Sequence, residues 1–244
     1  FESIRQAWEC SEHIGLSESI EVNVALYPSS PRYKYPLYER KEFCDKNYYS
    51  ETFNFAGLSN DSLVGDIRYN PEIFFDDNEQ RDMAKFFSHY LGKFVVVWAL
   101  SGSQRSKTYP YVHDTINQLL QKHKDMVVIT VGDDVCKILE TPFNDKRVIK
   151  KSGAWSIRES ILACKYASLV ISPDTGILHG AGCFDTPKIG LLTHTTKENI
   201  TKYFKNDYSI ECDHNLITCS PCFQLHYSSA VSCQLADDGY TPLC

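Results

Sequence analysis

Ser168-Leu-Val-Ile-Ser-Pro-Asp-Thr-Gly-Ile-Leu-His-Gly-Ala-Gly182 is the stretch whose reading decides the fold. Leu169 to Ile171 is an aliphatic run that predicts a short buried strand. Ser172-Pro-Asp-Thr-Gly176 predicts a turn, because proline and glycine punctuate regular structure. The small residues from Thr175 to Cys183 predict a helix that carries His179. A strand that turns straight into a helix leaves unpaired backbone N–H groups at the positive end of the helix dipole, which suits a phosphate-bearing ligand. Asp174 is placed to cap that helix, and His179 falls one turn on, near Thr175. Alone, the stretch reads better as a capped helix with a buried, hydrogen-bonded histidine than as a ligand site.

Outward from it, apolar strands alternate with helices. Helices are expected over 80–91, 111–123, 134–139, 156–166 and 197–204, and strands over 94–100, 126–131, 147–150 and 188–192. Continuous apolar strands between amphipathic helices imply an α/β fold, a Rossmann-like parallel sheet covered on both faces. In such sheets ligands bind outside the carboxyl ends of the strands. The acidic run Asp76 to Glu79 is expected to start the helix at residue 80, where negative charge suits the dipole. Residues 1–75 lack this rhythm, apart from a helix within 1–16 and a strand at 21–27, and are expected to be the end of a preceding domain and a linker. Residues 76–211 form the Rossmann-like domain, and 212–244 a cysteine-rich tail.

The totals exclude several classes. Of 244 residues, 43% are apolar and 23% charged, which is the balance of a folded globular chain. The net charge of −6 and the absence of a basic stripe speak against nucleic acid as a partner. No apolar run is long enough to span a bilayer and no secretory leader is visible, so a cytoplasmic location is expected. No Gly-x-Gly-x-x-Gly follows any strand, which ranks a dinucleotide oxidoreductase low.

A second loop supports the first. Ser101-Gly-Ser-Gln-Arg-Ser-Lys-Thr-Tyr-Pro110 follows the strand at 94–100 and supplies hydroxyls, a flexible glycine and the cations Arg105 and Lys107. It is not a Walker loop, since Gly-Lys-Ser/Thr is missing. By itself it is as readily an ordinary solvated turn. Both loops, however, sit at carboxyl ends of strands in one sheet.

Lys107-x-x-Pro110, Gly132 after a second strand, and Ser172-Pro-Asp-Thr-Gly-x-x-His179 followed by Thr186-Pro187 together resemble the carboxyl-terminal domain of glycosyltransferase family 9. These are the ADP-heptose:lipopolysaccharide heptosyltransferases and their relatives. The resemblance implies a GT-B fold, with a nucleotide-diphosphate sugar in the cleft between two Rossmann-like domains. It implies inverting transfer to a glycan or protein hydroxyl without a catalytic metal. It implies that Ser103 and Lys107 contact the diphosphate, and that Thr175 and Gly176 offer it backbone N–H groups. Asp174 would lie near the sugar or phosphate, His179 would shape that pocket, and Gly132 and Asp133 would border the nucleoside. Two departures stand out: Gly102-Ser103 replaces a pair of hydroxyl residues, and the last strand ends Leu192-Thr-His-Thr195 rather than Phe-Gly-x-Thr. The family's catalytic base belongs to the amino-terminal domain, and no residue of this chain is assigned that role.

Five of the ten cysteines fall within 212–244. Cys219, Cys222, Cys233 and Cys244 have the spacing C-x2-C-x10-C-x10-C, which fits a four-thiolate zinc or iron site. Some autotransporter-modifying heptosyltransferases resemble this arrangement, with an iron-bearing cysteine finger. Disulfides or free thiols are the alternative. In a loop-rich tail, a metal would substitute for a missing core. A different functional class also fits: a non-catalytic nucleotide- or glycan-binding module whose tail mediates self-association into a homo-oligomer.

Overall fold

Two apolar runs build the centre of the sheet. β1 (Phe94–Ala99) lies parallel to β2 (Met126–Val131), in register from Phe94 opposite Met126 to Ala99 opposite Val131. On its other side β1 pairs in parallel with β4 (Leu169–Pro173), Val96 opposite Leu169. β3 (Val148–Lys150), β5 (Lys188–Leu192) and β6 (Ile210–Glu211) complete a six-stranded, all-parallel sheet of order β3-β2-β1-β4-β5-β6. The computed structural model describes residues 47, 49, 71–102, 107–213, 215–217, 220 and 221. The elements expected within 1–16 and at 21–27 lie outside these residues, as do Ser103, Cys219, Cys222, Cys233 and Cys244.

Strand alternation sends successive side chains to opposite faces. On one face Val95, Val97, Ala99, Ile129 and Val131 pack with Met83 and Phe87 of α1 (Asp77–Ser88) and Leu162 and Ala163 of α4 (Ile157–Tyr166). On the other, Val96, Trp98, Leu100 and Val128 meet Val112, Ile116 and Leu120 of α2 (Val112–Lys122). A core on both faces explains why β1 and β2 are continuous apolar runs rather than alternating ones. Three short helices, α3 (Lys137–Glu140), α5 (Gly176–Ala181) and α6 (Lys197–Ile200), follow β2, β4 and β5. No helix among the described residues is long and apolar enough to cross a membrane.

One expectation needs correction. α1 starts at Asp77 rather than at residue 80, because Asp76 is its N-cap: it accepts from the Asn78 and Glu79 N–H groups at 2.8 Å, and Glu79 accepts from the Asp76 N–H at 2.8 Å. The acidic run is thus the cap and first turn, a capping box that satisfies otherwise free N–H groups. β6 has no counterpart among the expected strands, because two residues are too few to show any periodicity. It is docked by Ser209, whose hydroxyl accepts from the Gly190 N–H at 2.8 Å.

The connections out of β1 and β4 diverge. The chain runs from β1 to β2 to β3 in one direction, and from β4 to β5 to β6 in the other. Adjacent strands whose crossovers lead opposite ways leave a crevice at their carboxyl ends, the switch point where open α/β sheets take ligands. Here it lies between the loops after Ala99 and after Pro173.

Candidate functional site

At that switch point the two loops singled out from the sequence touch. Lys107 is 5% exposed, and its Nζ donates to the Asp174 carbonyl at 2.6 Å and lies 3.7 Å from Asp174 Oδ2. Gly102 makes the approach feasible: a β-carbon there would come within 2.7 Å of Lys107 Cδ and 2.8 Å of Thr175 Cγ2. Burial lowers the Lys107 pKa, against the charge and hydrogen bonding of Asp174. On the same crevice edge, Ser101 Oγ shares a hydrogen bond with Thr108 Oγ1 at 2.5 Å.

Asp174 is the hub. Its carboxylate, 6% exposed, has His179 Nε2 3.2 Å from Oδ1 and His194 Nε2 3.3 Å from Oδ2. Burial pushes this carboxyl up, but the two imidazoles and the Lys107 ammonium outweigh it and hold it well below the usual carboxylate range. Asp174 is therefore not the helix cap that its position suggested. The N-cap of α5 is Thr175, whose side chain makes no capping bond and instead shares a 3.0 Å hydrogen bond with Ser172 Oγ. Three segments of the chain, through Lys107, His179 and His194, converge on one carboxylate.

His179 lies one turn into α5, its backbone N–H donating to the Thr175 carbonyl at 3.2 Å. Its Nδ1 is 2.6 Å from the hydroxyl of Tyr49, a residue whose ring also packs edge-on against Phe204. Gly176 sits in open surroundings: a β-carbon there would meet only Ile157 Cδ1, at 3.8 Å. Packing inside the protein does not demand a glycine here, whereas a ligand resting on the backbone would. Gly132 and Asp133 stand at the carboxyl end of β2, one strand over. Gly132 lets the next turn close, since a β-carbon would lie 2.5 Å from Cys136 Sγ, and Asp133 Oδ1 accepts from the Cys136 N–H at 3.1 Å. Lys107, Asp174, Thr175, Gly176 and His179 are thus gathered together, while Gly132 and Asp133 flank them and have local structural work.

Sequence reasoning missed His194 and Tyr49. His194 had a weak signal, as an imidazole two residues past a buried strand, at the unspecified position of the Phe-Gly-x-Thr pattern. Tyr49 had none, because it reaches the site from outside the sheet domain. Among the described residues no group of three or more His, Cys, Asp or Glu is arranged to hold a metal ion.

Comparison with known proteins places this geometry. In solved structures, a similar fold occurs in ADP-heptose lipopolysaccharide heptosyltransferase II of E. coli, at 13% identity and a TM-score of 0.53, over 65% of this chain and 53% of that one. A family 9 glycosyl transferase from Veillonella parvula has 13% identity and a TM-score of 0.53, over 74% and 53%. The dodecameric iron-containing heptosyltransferase TibC, in complex with an ADP-heptose, has 11% identity and a TM-score of 0.50, over 80% and 48%. At such identities the likeness shows the fold, the sheet half of a GT-B architecture, and the chain spans about half the length of these structures. No curated protein matches the chain. The model of glycosyltransferase family 9 (heptosyltransferase) matches residues 66–229, well over half of the 244, and the chain belongs to that family.

Proposed function

We propose that this chain is the donor-binding part of a heptosyltransferase-like enzyme, which moves a sugar from a nucleotide diphosphate to a glycan or protein hydroxyl with inversion. The observation that carries the reading is the meeting of Lys107 with Asp174-Thr175-Gly176 at the switch point. In a single displacement the acceptor oxygen attacks the anomeric carbon as the bond to the diphosphate oxygen breaks. The diphosphate leaves with the electron pair, and the acceptor proton goes to a base outside the assigned residues. Lys107 and the N–H groups of Thr175 and Gly176 would receive the charge that develops on the leaving group. Ser103 would add a hydroxyl contact, His179 would shape the pocket, and Gly132 and Asp133 would border the nucleoside. The boundaries at 75 and 211 belong to the same reading, with the acceptor domain preceding residue 76. Titration with ADP, ADP-sugars and UDP-sugars tests it: a saturable shift in melting temperature is expected with at least one of them. No shift with any would favour a non-catalytic assembly module instead.

We further propose that Cys219, Cys222, Cys233 and Cys244 hold one structural zinc or iron. Their spacing supports this, and TibC is described as iron-containing and dodecameric, which also makes self-association part of the proposal. Protein purified anaerobically is expected to carry about one equivalent of metal, as a closed four-thiolate site would. Less than half an equivalent by elemental analysis would refute it. A reducing, cytoplasmic setting agrees with the described cysteines: Cys136, Cys164, Cys183 and Cys212 are free. Burial pushes the Cys164 and Cys183 thiols up to about 12, which makes them inert packing groups.

A further inference from the structure

His194 and Thr195 form the turn that leaves β5, and they are 3% and 2% exposed. Among the described residues, neither His194 Nε2 nor Thr195 Oγ1 has a hydrogen-bond partner. Unsatisfied polar atoms this deeply buried are rare in native proteins, and two in succession call for a cause. For His194 the cause is visible. Its Nε2 faces Asp174 Oδ2 at 3.3 Å, ion-pair distance for a protonated ring, without a regular hydrogen bond between them. Its Nδ1 is 3.3 Å from Thr193 Oγ1. The turn is held from behind, where Ser220 Oγ donates to the Thr193 carbonyl at 3.2 Å. The charged and titratable groups around this imidazole are Asp174 from the β4–α5 turn, Lys107 from the loop after β1, and His179 of α5 across the carboxylate.

Charge counting exposes a conflict in the donor pocket. A diphosphate brings at least two negative charges to a place where Lys107 is already balanced by Asp174. If Lys107 Nζ turns to the diphosphate, Asp174 keeps His179 on Oδ1 but Oδ2 loses its cation, and a buried carboxylate that loses its countercharge is strongly destabilised. His194 is the group in position to replace it.

We propose that His194 is a positioning residue of the donor pocket: as the diphosphate draws Lys107 away, the His194 imidazole gains a proton from solvent and closes on Asp174 Oδ2. This rests on the donor reading of the site. Asp174 then keeps its place beneath the start of α5, and the pocket gains the positive charge that the ligand requires. The diphosphate touches Lys107, and His194 acts through Asp174.

Calorimetric titration with ADP near pH 7, in two buffers of different ionisation heat, reads the proton directly. The wild-type protein is expected to take up protons, at most about one per ADP. His194→Asn keeps a polar side chain without a titrating ring; it is expected to bind ADP about tenfold more weakly, the loss of one charge-assisted hydrogen bond, and with less proton uptake. A merely structural role for His194 would change affinity without changing the proton count. ADP binding by the wild type without proton uptake would overturn the proposal, and so would undiminished uptake in the variant. The wild-type measurement decides even if the variant does not fold. If no protein in the series binds ADP, the donor reading itself fails and this inference falls with it.

Discussion

Lys107→Met is expected to weaken ADP binding, and to slow sugar transfer by the intact enzyme, by roughly 10²–10³-fold, the range found when one preorganised donor to a developing anion is removed. The residue is buried, its Nζ is fixed by the Asp174 carbonyl at 2.6 Å, and it projects from the β1 side of the switch point. Once it has turned to the bound diphosphate, a buried cation needs no further reorganisation as charge moves onto the leaving group. Methionine keeps the length and apolar stem but carries no charge. The slot beside Gly102 is close-packed, so Lys107→Arg is expected to restore less than a tenth of the lost affinity, because a guanidinium is planar and wider than an ammonium. The variant should still melt cooperatively, since the sheet core lies beneath the loop. If ADP affinity in Lys107→Met stays within threefold of wild type, Lys107 does not contact the diphosphate.

Asp174→Asn tests the hub. At pH 7 the substitution is expected to lower folding stability by about 3–5 kcal/mol, as when one partner of a buried ion pair is removed. In a domain of this size that is a fall in melting temperature of roughly 6–20 °C. The pH dependence identifies the cause. The Asp174 carboxyl is held well below the usual carboxylate range in the folded protein, against a value of about 3.9 when unfolded. Its contribution is therefore complete above that unfolded value and drains away as pH falls toward the folded one. The stability gap between wild type and Asp174→Asn should narrow by about 1.4 kcal/mol for each pH unit below roughly 3.9. Urea titrations at pH 7 and pH 3 measure it. A gap of equal size at both would mean that lost shape, rather than lost charge, destabilises the variant.

Much of this architecture can be read from residue order. Phe94–Ala99 and Met126–Val131 announce a parallel sheet because both faces of each strand are buried, and no alternation is needed to see them. The start of α1 was misplaced because a run of acidic residues looks the same before a helix as in its first turn; only the reciprocal bonds of Asp76 and Glu79 distinguish the two. Ile210–Glu211 is invisible in advance because a strand that short takes its identity from its neighbour, β5.

The opening stretch shows the same division. Ser168 to Gly182, taken alone, determined that a buried strand turns into a helix, since that follows from local apolar pattern and backbone hydrogen bonding. The sequence also determined which residue types stand at the turn. Only the tertiary structure decided what Asp174 does. Its three partners are Lys107, His179 and His194, which lie up to 67 positions away in the chain. Local pattern assigned it to the nearest free N–H groups. Folding removed it from water and surrounded it with three cations or potential cations, and the electrostatics of that enclosure outweigh a capping bond.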